Sequence, residues 1–413
     1  MSAQPSARVV NANSAPIFFS FFTWGFGTGA QNLGRPLFAL AATGNVFLVG
    51  VLIAANALPR LVSGPLTGYL TDKLGRKPLV MLGPAIRGVS NVGQFFATDY
   101  ATFFALEMVG QFGVAMWNTS ANVLLSDVTT SQNRGKVLAV RHMSMRMGFV
   151  AGPLVGGVMA VTWGLQSVFL LNGLSKIIIL LVAFFLVRET RPTGAAPAPQ
   201  AAGKPARRGP RLSLAPFRDP SFLALSVATA ALSMTQAGTM QAVLPVHAKE
   251  ALGVSSASLG VLISLAAGLA FALALPNGML SDRLGRKISM VPGLALLGVG
   301  VLLLAYGQSY GLLVLVVVLH GSGEAMTLGT TQTYAMDLAP STARGRFMGL
   351  WSLSQSAGAV VGPLLASALY YWVSPALAFQ TVAVVLLVSA AVMLVMGRET
   401  AGPWARDEAP ASP

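Results

Sequence analysis

Residues 68–77, GYLTDKLGRK, return as residues 278–287, GMLSDRLGRK, at an offset of 210. The same offset relates Asp127, Arg134 and Gly135 to Asp337, Arg344 and Gly345. It also relates Gly148, Gly152 and Pro153 to Gly358, Gly362 and Pro363, and Arg188, Glu189 and Thr190 to Arg398, Glu399 and Thr400. Four separate blocks sharing one offset, with no net insertion between them, mark the chain as a duplication. In each copy of the first block two glycines permit a tight turn and close helix approach, with the aspartate and the first arginine of GRK on either side of it.

Between these blocks the chain is apolar. Of its 413 residues 54% are hydrophobic and only 10% charged, against about a quarter charged in a soluble protein. The mean hydropathy is +0.67, and so few charges cannot furnish a water-facing surface. Apolar runs of about 20 residues match the thickness of a bilayer core. Twelve helices are predicted, near 15–40, 46–70, 79–97, 101–125, 138–163, 166–187, 220–246, 256–280, 288–307, 311–335, 347–372 and 375–396. The fold class is an all-α integral membrane protein with two pseudo-symmetric six-helix bundles. A tail at 1–14 precedes the first bundle, 15–187; a linker at 188–219 leads to the second, 220–396, and a tail at 397–413 follows. The first 14 residues are polar and no small-residue cleavage site follows the first apolar run, so that run reads as a retained helix. An even number of spans per half gives both halves one orientation, with the natural ligand cleft between them.

Charge orients the chain. With the N-terminus in the cytosol, 21 of the 27 Lys and Arg residues fall on the cytosolic side, as the positive-inside rule requires. The expected location is the cytoplasmic (inner) membrane, with both termini cytosolic. The formal charge of +14 does not imply nucleic acid, because the basic residues sit between apolar runs and form no continuous basic face. The linker is rich in Ala, Pro and Gly and carries seven basic residues; it reads as topology control, with anionic headgroups as a further resting place. The absence of cysteine excludes disulfides, thiolate catalysis and Cys metal sites. No GxxxxGK[ST] run is present to hold a nucleotide phosphate.

The G-x-L-x-D-x-x-G-R-K turn, present in both halves, resembles the signature of the major facilitator superfamily over nearly the whole chain. GFVAGPLVGG, Gly148 to Gly157, is similar to the fifth-helix element of the drug:proton antiporter branch; GAVVGPLLAS, its second copy, lacks the final Gly pair. The chain departs from that branch in placing Glu107 in its fourth helix, where the antiporters commonly place Arg. The resemblance implies a gating set: Gly68, Asp72, Gly75, Arg76 and Asp127, with Asp282, Arg286 and Asp337 in the second half. In that set Asp72 faces the start of the eleventh helix and Arg76 reaches Asp127, latching the outward-open state. Gly148, Gly152, Pro153, Gly156 and Gly157 form a small-residue face that lets helices pack closely in lipid. The antiporter resemblance adds a bending interface to that packing role.

Ionisable residues inside spans each cost about 2.5–3.5 kcal/mol at a helix centre and must face protein or water. In the superfamily the first, fourth, seventh and tenth helices line the cavity. The first carries Trp24, Thr28, Gln31 and Arg35 on one face; the fourth carries Glu107, Gln111, Asn118 and Asn122. The seventh adds Ser233, Gln236 and Met240, and the tenth His320, Glu324, Thr327 and Thr331, with Arg60 and Arg146 completing the candidate lining. Glu324, His320 and Glu107 are the candidate proton-coupling groups. His320 and Glu324 lie four residues apart on one helix face near mid-membrane, where a carboxyl can take up a proton in one state and release it in another. Arg35 and Glu107 fall at equal depths, which predicts a pair. Arg87 and Lys176, on helices away from the cavity, read as structural.

The reading is a secondary active transporter of small organic molecules, working by alternating access with proton-coupled efflux. Its expected partners are a small-molecule substrate, protons and the lipid bilayer, the chain acting as a monomer without cofactor, metal or nucleic acid. The alternative is an anion-selective symporter or exchanger, since Arg35, Arg60 and Arg146 outnumber Glu107 and Glu324. An intramembrane enzyme would need a fuller cluster than His320 with Glu324.

Overall fold

The computed structural model describes residues 14–59, 67, 70, 74–127, 129, 133–187, 189, 215–307, 309–340 and 343–406. Arg60, Gly68 and Asp72 lie outside the described residues. Among the described residues there are twelve helices: α1 Ala15–Thr43, α2 Val46–Ala55, α3 Arg76–Phe96, α4 Tyr100–Asp127, α5 Arg134–Thr162 and α6 Ser167–Leu186 in the first part of the chain. They continue with α7 Pro220–Glu250, α8 Ser256–Leu284, α9 Arg286–Leu303, α10 Tyr310–Leu338, α11 Arg344–Trp372 and α12 Pro375–Met396. Eight of them are long and apolar enough to cross a membrane. Serine side chains cap several starts: Ser255, Ser309 and Ser374 each accept the amide three residues on, satisfying one donor that the first turn leaves open.

Close contacts divide the chain into two units, Met1–Gly34 with Leu58–Arg211 and Arg35–Ala57 with Leu212–Pro413. In the first unit, small residues decide which helices touch. A Cβ at Gly148 would meet the Phe22 carbonyl oxygen and one at Gly152 the Phe26 carbonyl oxygen, so α5 rests backbone to backbone on α1. Gly83 does the same for α3 on α4, where a Cβ would stand 2.7 Å from the Trp117 nitrogen and 2.8 Å from the Gly113 oxygen. Phe21, Trp24, Trp117, Leu124 and Ile179 fill the core that these contacts enclose. Leu181, Phe184 and Phe185 of α6 point outward, the apolar exterior that lipid favours.

The second unit repeats the device. Gly362 of α11 would place a Cβ 2.6 Å from the Met234 Cα, and Gly358 one against the Ala230 carbonyl oxygen of α7. This unit also contains α2, which the sequence division at 188–219 assigns to the first half. Gly50 lies on Ser367 and the Pro363 carbonyl of α11, and the Phe47 ring packs on Trp372 with centroids 4.6 Å apart. Helix α7 is not regular. Thr235–Val243 is π-helical, and the Leu244 amide donates to the Thr239 oxygen five residues back. Pro245 explains it: proline has no amide for the Gln241 carbonyl and its ring would strike it, so the helix widens just ahead.

Replacing Gly152 by valine should push α5 off α1 and lower the unfolding midpoint in detergent, overpacking costing about 1–3 kcal/mol. Gly349 is exposed on α11 with nothing within 4 Å of where a Cβ would stand, and it should accept valine with no such loss. Equal effects in the two variants on a thermal unfolding assay would contradict the close-packing role.

Candidate functional site

The first unit holds a sealed polar network. Glu107 of α4, with no exposed surface, accepts from Arg87 Nη2 of α3 at 3.1 Å. It also accepts from Gln94 Nε2 at 2.8 Å, Gln111 Nε2 at 2.7 Å and Gln31 Nε2 at 3.3 Å. Each of these contacts is a donor, the arrangement that a carboxylate requires. Gln31 of α1 accepts from Arg87 Nη2 at 2.8 Å and from Asn172 of α6, and donates to Gln94 Oε1 at 2.9 Å. The amides thus join α1, α3, α4 and α6 around one ion pair. Gly110 makes room for it, since a Cβ there would fall on Arg87 Nη1 and 3.1 Å from Arg87 Cδ.

Equal depth pointed to Arg35 as the cation for Glu107; the structure seats Arg87 on this carboxylate. Depth along a helix is only one coordinate, and rotation about the helix axis puts Arg87 at the α3–α4 contact. The signal was present in the sequence: Arg87, Asn91 and Gln94 form one polar face of α3, at i, i+4 and i+7. The second interior cation, Lys176 of α6, lies 4.1 Å above the Trp24 ring and donates to the Trp24 oxygen at 3.3 Å. Trp24 stacks on Trp117 at 3.9 Å with planes 2° apart. The structure therefore buries Trp24, Gln31, Arg35, Glu107 and Gln111, while Thr28, Asn118 and Arg146 are half-buried and Asn122 is exposed.

The second unit holds a looser cluster. His320 Nε2 of α10 stands 3.4 Å from Gln236 Oε1, on the π-helical stretch of α7, and 3.8 Å from Glu324 Oε2. A bond to Gln236 needs the proton on Nε2, and among the described residues the buried Nδ1 has no hydrogen-bond partner. A second proton there would find no acceptor, so the neutral Nε2–H tautomer fits this arrangement. Gln236 is exposed, Ser233 and Met240 are half-buried, and the Glu324 side chain keeps 17% of its surface. Thr327 and Thr331 are buried and donate to carbonyls of their own helix, Gly323 and Leu328.

The repeated turns show their construction twice. Gly75 and Gly285 take φ of +98° and +125°, a region that only glycine enters freely. Each stands at a helix start with no side chain to cap it, and a glutamate from the far end of the same half does so instead. Glu189 accepts from the amides of Arg76 at 3.1 Å and Lys77 at 3.0 Å; Glu399 accepts from those of Arg286 at 2.6 Å and Lys287 at 3.1 Å. Sequence reasoning matched these glutamates as a repeat and gave them no role; an uncapped glycine before each helix was the available clue. Arg76 Nε reaches Asp127 at 3.1 Å, and Arg286 Nε reaches Asp337 at 3.2 Å while also pairing with Asp282. Gly148, Gly152, Pro153, Gly156 and Gly157 are all buried.

The profile of the Major Facilitator Superfamily matches residues 17–247 and 225–413. Multidrug resistance protein MdtG of Dickeya zeae (strain Ech586) is 26% identical over 361 residues, spanning 84% of this chain and 82% of that protein. Tetracycline resistance protein, class C, of Escherichia coli is 26% identical over 341 residues, spanning 78% and 79%. A crystal structure of a D-xylose-proton symporter superposes with a TM-score of 0.73 at 16% identity, over 94% of this chain and 98% of that one; at that identity the likeness is one of fold.

Removing one member of the Arg87–Glu107 pair should leave a buried charge alone and cost about 3–5 kcal/mol. Arg87→Gln and Glu107→Gln should each lower the unfolding midpoint sharply, and the double variant should recover much of the loss. Additive losses in that cycle would show that the two side chains act independently.

Proposed function

The chain belongs to the Major Facilitator Superfamily, and on that footing we propose that it exports drug-like small organic molecules in exchange for protons. It is a multi-pass membrane protein and a secondary transporter of small molecules, not an enzyme. The efflux reading is supported by the relatives named for multidrug and tetracycline resistance. One observation carries the assignment of the proton. Of the two carboxylates that lie well inside helices among the described residues, Glu107 is enclosed by an arginine and three amide donors, whereas Glu324 keeps exposed surface beside His320. A coupling group must exchange its proton with water in at least one state, and Glu324 is the carboxylate placed to do so. We assign it that role, with His320 as its neighbour at 3.8 Å and Gln236 linking His320 to α7. Glu107, expected among the coupling groups, serves in this state as the anchor of a closed network.

Orientation belongs to the same proposal: both termini and the linker face the cytosol, a reading supported by the distribution of basic residues. The chain, free of cysteine, accepts single cysteines for labelling. Gly203→Cys should resist an impermeant maleimide in intact cells and react after permeabilisation; strong labelling from outside would overturn the topology.

A second reading, exchange of organic anions, draws on the excess of buried cations over carboxylates inside the first unit, where Arg87 and Lys176 stand against Glu107. Proteoliposomes separate the two. An imposed pH gradient should by itself drive uphill movement of a cationic or neutral drug. Glu324→Gln should lose uphill transport while keeping downhill exchange. Normal concentrative transport by that variant would remove Glu324 from the coupling role, and transport driven only by an opposing anion gradient would favour the exchanger.

A further inference from the structure

The outer wall of the first unit carries a groove between α3 and α6 that neither the transport chemistry nor the packing of the bundle uses. Its cavity volume is about 690 Å³. Pro78, Met81, Leu82 and Ala85 of α3 form one side, Leu180 and Phe184 of α6 the other, and Lys77 and Glu189 stand at its mouth. From Lys77 to Ala85 the wall runs about 12 Å along α3, roughly half the depth of one leaflet of the hydrocarbon core plus its headgroup margin. An apolar groove of that length in a lipid-facing wall fits an acyl chain.

The mouth states which headgroup. Lys77 Nζ donates to the Phe184 carbonyl at 2.8 Å and lies 5.9 Å from the Phe184 ring centre. One of its three protons is thereby used at the C-terminal end of α6, and among the described residues Lys77 makes no ion pair. Glu189, the carboxylate nearest to it in the groove, is turned to the backbone amides of Arg76 and Lys77. The ammonium is thus anchored at the rim with donors left over. In the sequence, Lys73 precedes it, Arg188 and Arg191 flank Glu189, and five more basic residues follow before α7 begins, at Lys204, Arg207, Arg208, Arg211 and Arg218. The excess of positive charge in the sequence flanking Lys77 and Glu189 complements a phosphodiester with a net negative charge and not a zwitterion.

We propose that this groove is a binding site for one anionic phospholipid, its acyl chain lying along Met81, Ala85 and Leu180 and its phosphate on Lys77. In the proposed orientation the lipid belongs to the cytosolic leaflet, the one in which anionic lipids attract basic segments. The second half lacks the aromatic member: position 394, equivalent to Phe184 by the repeat, is Leu394, and Lys287 provides an internal control.

The test is native mass spectrometry of the full chain in detergent, titrated with equal amounts of phosphatidylglycerol and phosphatidylcholine of the same chains. The wild type should retain a single phosphatidylglycerol about fivefold over phosphatidylcholine, the advantage one well-placed lysine gives. Lys77→Gln should abolish the preference, Lys77→Arg should keep it, and Lys287→Gln should leave it unchanged. Ala85→Phe should displace both lipids by filling the groove, with unfolding midpoint and monodispersity checked for every variant. Equal retention of the two lipids by the wild type, or an undiminished preference in Lys77→Gln, would overturn the site. So would a preference that survives Ala85→Phe but disappears when Arg207 and Arg208 are changed to glutamine, because the lipid would then rest on the linker.

Discussion

The first unit is organised by one buried ion pair. A charge inside a membrane span is tolerated only when the protein replaces water around it, and here Arg87 and Glu107 do so for each other at 3.1 Å. Neither is sufficient alone. The guanidinium and carboxylate together offer more bonding positions than they can use on each other: Gln31 accepts from Arg87 Nη2, and Gln31, Gln94 and Gln111 donate to Glu107, with Asn172 donating to Gln31 in turn. Since lipid gives apolar helix surfaces no reason to associate, a network with members on four helices supplies direction as well as attraction. Glycines at 83, 110 and 113 then become necessary, because the bonds form only where the backbones come close enough.

The duplication makes the specificity of this arrangement visible. At the repeat offset Arg87 corresponds to Leu297, Glu107 to Val317, Gln94 to Leu304 and Asn172 to Val382. Leu297, Val317, Leu304 and Val382 are all buried. One half therefore holds by charge and amides what the other holds by aliphatic packing, as expected if a buried pair and a well-fitted hydrophobic substitute have similar net worth. The reverse holds for the second cluster: His320 corresponds to Gly110, Glu324 to Val114 and Gln236 to Phe26. What both halves keep are the turns, with Gly75 and Gly285 at positive φ and Glu189 and Glu399 on the amides that follow. Shared positions build the turns, and divergent ones set the interior of each half.

That division explains what was legible in the sequence. Hydropathy and the constant offset report on every residue of a span at once, so the helices and the duplication could be read directly. The turn pairing of Arg76 with Asp127 was legible through the family resemblance, and the repeat extended that set to Arg286 and Asp337. Side-chain partnership inside the bundle was not. Arg87 looked peripheral because helix order says nothing about rotation, and the depth argument selected Arg35 on a single coordinate. Gln31 and Trp24, read as cavity lining, are buried in the described state by Asn172 and Trp117. The π-helical stretch of α7 was also illegible from periodicity, although Pro245 marked the place where regular bonding had to fail.

That stretch bears on how the second cluster differs from the first. The contacts of Glu107 with its amide donors are as short as 2.7 Å, close to the optimum for such bonds, and a structure held that tightly resists rearrangement. His320 instead stands at 3.4 Å from Gln236 and 3.8 Å from Glu324, distances at which a change of protonation alters the balance between neighbours at little cost. Gln236 sits on the segment of α7 whose backbone already departs from α-helical bonding. If Glu324 carries the proton, as proposed, gaining it converts an acceptor facing His320 into a donor, and the imidazole must then choose differently between Glu324 and Gln236. The strain of that choice falls on a π-helical stretch, a local widening of the kind frequent at functional sites. The first unit thus holds a tightly bonded network and the second a looser contact on an irregular helix.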